Sequence, residues 1–139
     1  MIELATVIDH VTELTGYTVR EAKANEQEMA EEGNLPIITI GYGPILSNNP
    51  ESPITYDIYN LNGEDLVQSF YIKYVCKNAD FRSVFVTMLK TLTGWNPTTP
   101  EAIHTSFTYV NGVPIGMNNT TFWFQTEWKI NFPTNTLLQ

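Results

Sequence analysis

Cysteine is almost missing from this chain: Cys76 stands alone among 139 residues, so no internal disulfide can form. Histidine is nearly as scarce. His10 and His104 are isolated, and with a single thiol they supply none of the usual zinc spacings. There is no Gly-x-Ser-x-Gly elbow and no glycine-rich phosphate loop ahead of a helix. Gly41-Tyr42-Gly43 is too short for such a loop and runs into Pro44, so it reads as a turn. Glu31-Glu32 and Glu64-Asp65 are neighbours on polar segments, whereas a working acid–base pair needs burial to separate its pKa values. Basic residues are also few, seven Lys and Arg against fifteen Asp and Glu, for a net charge of −8. A nucleic-acid grip needs clustered Lys and Arg, and this balance argues against one. No stretch approaches the length of a membrane span. The first ten residues lack the basic start and apolar run of a signal peptide, which predicts a protein made and kept in a cytoplasm. Together these absences predict no catalytic, cofactor or metal site.

What the chain does hold is enough apolar residue, 42 %, for one ordinary core, and residues 1–139 read as one domain. Its charge is uneven. Residues 1–32 contain eight acids and two bases; Glu26, Glu28, Glu31 and Glu32 form the densest part.

Helical spacing of Leu4, Val7, Ile8, Val11 and Leu14 predicts a helix over 2–15, ended by Gly16. His10 falls on its polar face, towards water and Glu13. Tyr17–Ala22 reads as a short strand, and Leu35–Gly41 as a buried one with Pro36 near its start. Residues 43–53, with Pro44, Pro50 and Pro53, read as a surface loop. Ile54–Asn60 and Glu64–Cys76 read as a hairpin. A three-residue loop, Leu61-Asn62-Gly63, aligns Ile58 with Leu66 and Ile54 with Phe70 and gives one apolar face; a two-residue turn would split that face. Cys76 is then in phase with Phe70, Ile72 and Tyr74, which predicts a buried, inert thiol. Asp80 is the expected N-cap of a second helix with the stripe Phe81, Val84, Phe85, Met88, Leu89 and Leu92, ended by Gly94 and Pro97.

Ile103–Val110 and Thr120–Phe132 read as a last pair of strands. The second alternates throughout: Phe122, Phe124, Thr126, Trp128, Ile130 and Phe132 on one face, Trp123, Gln125, Glu127, Lys129 and Asn131 on the other. The connection Asn111–Asn119 is apolar for a hairpin tip, and Val113, Ile115 and Met117 either fold back onto the sheet or face a partner. Leu137 and Leu138 in the tail pose the same choice. Two helices and several strands, each with one apolar face, predict an α+β two-layer sandwich: a mainly antiparallel sheet with both helices on one side.

The order of these pieces resembles the tail terminator (neck terminator, tail completion) proteins of tailed bacteriophages. The likeness rests on the helix Leu4–Leu14, the start Leu35-Pro-Ile-Ile-Thr-Ile and the run Phe70-Tyr-Ile-Lys-Tyr-Val. The helix Asp80–Leu92 directly after it and the late aromatic hairpin complete it. It implies a structural virion protein with no reaction and no cofactor. Six copies would form a ring at the head-proximal end of the tail, ending tube growth and presenting a surface to the head connector. Its partners would be itself, the tail tube protein and the connector, with DNA passing unbound and no membrane involved. Tyr71, Trp123, Val113, Ile115, Met117, Leu137 and Leu138 are the expected interface residues. Glu26, Glu28, Glu31 and Glu32 are expected along the channel. A connector or tube subunit, or a monomeric adaptor domain, is the alternative.

Overall fold

The computed structural model describes residues 2–22, 35–47, 65–98 and 105–133. In chain order the elements are α1 (Leu4–Thr15), β1 (Thr18–Glu21), β2 (Ile37–Ser47), β3 (Asp65–Lys77), α2 (Phe81–Leu92), β4 (Thr108–Met117) and β5 (Thr121–Pro133). The strands form one mixed sheet in the order β1-β2-β3-β5-β4. β1 runs parallel to β2 and every other pair is antiparallel. Both helices pack against one face, so the expected two-layer α+β sandwich is the observed one.

The central pair β3 and β5 sets the core. Thirteen residues of each strand are in register, and the pairs Phe70–Trp128, Ile72–Thr126 and Tyr74–Phe124 place the alternating residues of both strands under the helices. Helix α1 buries Leu4, Val7 and Val11 on this face, and α2 buries Val84, Met88 and Leu92. A twelve-residue helix is marginal on its own in water. Burial worth about 1.5–3 kcal/mol per large apolar side chain is what holds each helix down. Gly16 ends α1 in the left-handed region at φ 70°, where its N–H donates to the Thr12 carbonyl at 2.9 Å. The start of the chain is tied as well. Gln68, fully buried, accepts from the Ile2 N–H and donates to the Ile2 carbonyl, both at 3.0 Å, so an amide side chain satisfies the backbone as a strand would.

Several local expectations are corrected. Leu14 is 60 % exposed and lies outside the buried stripe of α1. Asp80 holds the N-cap position of α2 as expected, but its side chain makes no capping hydrogen bond. It belongs to a 3-10 turn, Asn78–Asp80, that runs straight into the helix with Asp80 already in helical conformation. Gly41-Tyr-Gly43 is not a turn, because β2 continues through it and through Pro44 to Ser47, with an irregularity between Tyr42 and Ile45. Residues 54–60 and the loop 61–63 lie outside the described residues. The pairing expected for them fails on the β3 side: Leu66, Gln68 and Phe70 are flanked by Ser47, Ile45 and Tyr42 of β2 and by Phe132, Ile130 and Trp128 of β5.

The largest correction concerns the supposed hairpin tip. Asn111–Met117 is strand, the greater part of β4, and the true connection to β5 is the tight turn at 118–120. Asn118 builds that turn: its side-chain oxygen accepts from the N–H groups of Thr120 and Thr121 at 2.9 and 2.8 Å. Two register shifts, at Tyr109/Asn111 and Pro114/Gly116, let a strand containing Pro and two glycines stay paired. Gly112 is required by close approach. A Cβ there would sit 2.6 Å from both the Phe124 ring and the Tyr109 hydroxyl. The Phe124 ring is held by Tyr74, Phe81, Phe85 and Phe122 and has nowhere to go. Gly112→Ala should therefore destabilise the fold by about 1–3 kcal/mol in urea denaturation; an unchanged midpoint would mean that this ring is loosely held.

Candidate interaction surface

β4 is an edge strand, paired on one side with β5 and open on the other. Nature usually guards a long free edge with charge, proline or bulges, because it is a template for another chain. β4 has the proline and the two irregularities but no charge; the whole run 102–126 contains no Asp, Glu, Lys or Arg. At about 3.3 Å per residue its ten residues offer roughly 33 Å of edge. Along it Val113 is 47 % exposed, Ile115 46 % and Met117 69 %, with Val110 similar. Sequence pattern alone singles out three of these four and places Val110 in the strand before them. The segment is itself part of the sheet, and these side chains are left about half exposed or more on the single chain.

The other expected interface residues lie elsewhere. Tyr71 is exposed on the sheet face opposite the helices, in register with Gly41 and Glu127. Trp123 is on that same face but half-buried, packed with Leu35 against Ile37 and Val75 in a second small apolar cluster. The structure brings Trp123 next to β4, in register with Gly116, and leaves Tyr71 two strands away from β4. A second exposed patch, Tyr42, Ile45 and Leu46 on β2, escaped the sequence reading because Pro44 made this stretch look like loop. Leu137, Leu138, Glu26, Glu28, Glu31 and Glu32 lie outside the described residues.

His10 is corrected. It does not point to water beside Glu13. Its ring stacks on Trp95 with centroids 3.7 Å apart, and Trp95 in turn stacks on Phe107 at 5.1 Å. Its Nε2 lies 3.0 Å from the Thr91 carbonyl, and since a carbonyl oxygen only accepts, Nε2 carries the proton. The imidazole is thus a clasp between α1 and the end of α2. His104 lies outside the described residues.

The buried polar groups are structural in the same sense. Thr126 Oγ1 lies 3.0 Å from the Ile72 carbonyl, 3.0 Å from Trp128 Nε1 and 3.2 Å from the Tyr74 hydroxyl. Its one proton goes to the carbonyl and Trp128 donates to it, which leaves Tyr74 as donor in the third contact. Every hydrogen-bonding position of Thr126 is filled, so no open coordination or catalytic site remains there. Burial is the main cause that pushes the Tyr74 hydroxyl well above the usual tyrosine range.

Cys76 is buried as expected, and burial first, then the charge of Asp80, raises its thiol to about 11. Both groups hold their protons longer in the folded chain than in the unfolded one. Below about pH 9 this protonated-state stability is fully present; as pH rises through the folded thiol value, the unfolded chain gains by ionising first and stability falls. The urea midpoint should be flat between pH 7 and about 9 and drop above it, with Cys76→Ala removing part of the drop. A midpoint that rises with alkali would contradict the burial of both groups.

Among the described residues no group of three or more His, Cys, Asp or Glu is placed to hold a metal ion, and no helix is long and apolar enough to cross a membrane. No family model matches the chain, and no curated protein matches it. Among solved structures it is similar to a chain described as "Virion of native gene transfer agent (GTA) particle". That similarity has 13 % identity, covers 88 % of this chain and 83 % of the other, and has a TM-score of 0.49.

Proposed function

We propose that this chain is a structural virion protein of a tailed phage or related particle. In this reading it is a tail terminator, whose copies close into a ring, six in the family it resembles. The observation that carries the reading is β4: a long, open, charge-free sheet edge with Val110, Val113, Ile115 and Met117 exposed on it. On a protein of net charge −8 this is the surface where a second copy can approach without facing like charge. Homo-oligomer interfaces are more apolar than ordinary surface, and an open edge invites strand addition. The element order and the helices on one sheet face agree with the resemblance drawn from sequence.

The mechanism is geometric. The ring matches the tail tube on one side, withholds the surface that a further tube ring needs, and offers its other side to the head connector. Glu26, Glu28, Glu31 and Glu32 line the channel in this proposal, repelling DNA so that it slides without adhering. No reaction and no cofactor are involved. Light scattering and electron microscopy of the purified full chain test the reading. Closed rings of one size, unchanged with concentration, are the expected result. Filaments of growing length would favour a tube subunit, and a single-chain mass at high micromolar concentration would leave an adaptor domain.

A further inference from the structure

The sheet has a second open edge, on the side away from β4. β1 covers β2 only from Ile37 to Ile40, and the Ala22 N–H adds one last bond to the Ile40 carbonyl. From Tyr42 to Ser47, β2 is paired with β3 alone among the described residues. Tyr42, Ile45 and Leu46 are about half exposed there. The two longest runs of the sequence without Asp, Glu, Lys or Arg are 102–126 and 33–50. The first holds β4 and the second holds β2. Both free edges thus lack the charge by which sheets usually keep other strands away.

Strand direction fits the two edges to each other. β2, β3, β5 and β4 alternate in direction, so β4 runs opposite to β2. A copy laid beside β4 with its helices on the same face therefore presents its β2 antiparallel, as a further strand of the ladder. The irregularities set the register. β2 is irregular between Tyr42 and Ile45, and β4 between Pro114 and Gly116. Facing Leu46 with Val113 and Tyr42 with Met117 puts one irregularity opposite the other, so that both strands bend together. This register also matches the faces. Tyr42 and Met117 are in register with Phe70 and Phe122 on the helix side, and Leu46 and Val113 with Val67 and Gln125 on the other. Pro44 and Pro114 fall within this stretch and deny a full ladder to a straight strand.

We propose that copies of this chain join edge to edge, β4 of one adding to the Tyr42–Ser47 half of β2 in the next. This rests on the ring reading and names the contact that builds it. The contact is heterologous, so its repetition closes a ring or continues as a filament. Pairing of β4 with itself about a two-fold axis would leave the β2 edge bare. Within a subunit Met117 is level with Cys76, one residue past the Val75–Ile37 pair. Bringing Met117 level with Tyr42 of the next copy shifts that copy by about six residues, roughly 20 Å, along the strands. Across the sheet, β2, β3, β5 and β4 of each copy add roughly 19 Å. Strands inclined at about 45° to the ring axis absorb this stagger with no rise from copy to copy, since tilt and stagger are linked in closed sheets. The same stagger leaves room for β1, which then lies end to end with the incoming β4.

Disulfide trapping tests this. Val113→Cys and Leu46→Cys are made separately and together in the full chain, with circular dichroism to confirm the fold, and the assembled protein is oxidised with copper phenanthroline. Both positions are about half exposed and Cys76 is buried, so the new thiols are the reactive ones. A disulfide needs Cα atoms within about 7 Å, which facing residues of paired strands satisfy at about 4.5–5.5 Å. The double variant should give a covalent ladder on a non-reducing gel that ends at the size of the ring. Each single variant should stay uncross-linked, and the two singles mixed before assembly should give dimers only. A dimer from Val113→Cys alone would mean that β4 pairs with itself, and rings of the double variant without cross-links would mean another contact; either overturns the β4–β2 joint while the ring stands. A monomeric wild type would instead remove the ring reading, and this joint with it.

Discussion

Replacing Trp128 by alanine should cost about 3–5 kcal/mol of stability, the largest single-residue loss expected in this fold. Trp128 is fully buried in the central pair of strands, opposite Phe70, with Tyr109 edge-on to its ring at 5.3 Å. Truncation removes the ring, leaves a cavity that two strands locked in register cannot close, and takes a donor from Thr126. Trp128→Phe keeps most of the volume and loses chiefly the indole N–H, so it should cost clearly less. Urea denaturation followed by circular dichroism gives both numbers. A loss below about 1 kcal/mol for the alanine variant would mean that β5 does not form the core with β3 as described.

That prediction rests on the part of the fold most legible in the sequence. β5 alternates without a break, and each residue assigned to its apolar face is buried except Phe122, which is half-buried near the end of the sheet. The α2 stripe was equally clear, because a side chain that must pack under a helix leaves a periodic trace. Features that depend on what another element brings were not legible. Nothing in α1 shows that Trp95, eighty-five positions on, will lie against His10. The polar spacing of His10 correctly takes it off the core stripe and then says nothing about a second helix.

Proline and glycine misled for a related reason. They weaken a strand paired on both sides, and Gly41 to Pro44 and Gly112 to Gly116 accordingly carry the local pattern of turn and loop. In the sheet, Pro44 sits at an irregularity of β2 and Pro114 in an edge strand, the two settings in which a missing N–H does least harm. The sequence marked Val113, Ile115 and Met117 as apolar residues without an obvious place. Only the topology shows that their place is an open sheet edge, which changes their meaning from an adventurous loop to a pairing surface.

If that edge joins subunits, Ile115→Asp with Met117→Asp should weaken assembly about a hundredfold while leaving the subunit folded. Both side chains are exposed in the single chain, so placing carboxylates there costs the isolated fold within about 0.5 kcal/mol. In the assembled state the same carboxylates would be taken from water into an apolar contact, and the charge-free run 102–126 around them offers no cation of its own. A loss of about 2.7 kcal/mol per contact is a factor of a hundred in the dissociation constant. Sedimentation over a concentration series measures the shift, and the urea midpoint of the same variant shows whether the fold has survived. Ring formation at the wild-type concentration would take β4 out of the interface. Assembly lost together with a lowered midpoint would move these residues from the interface to the core.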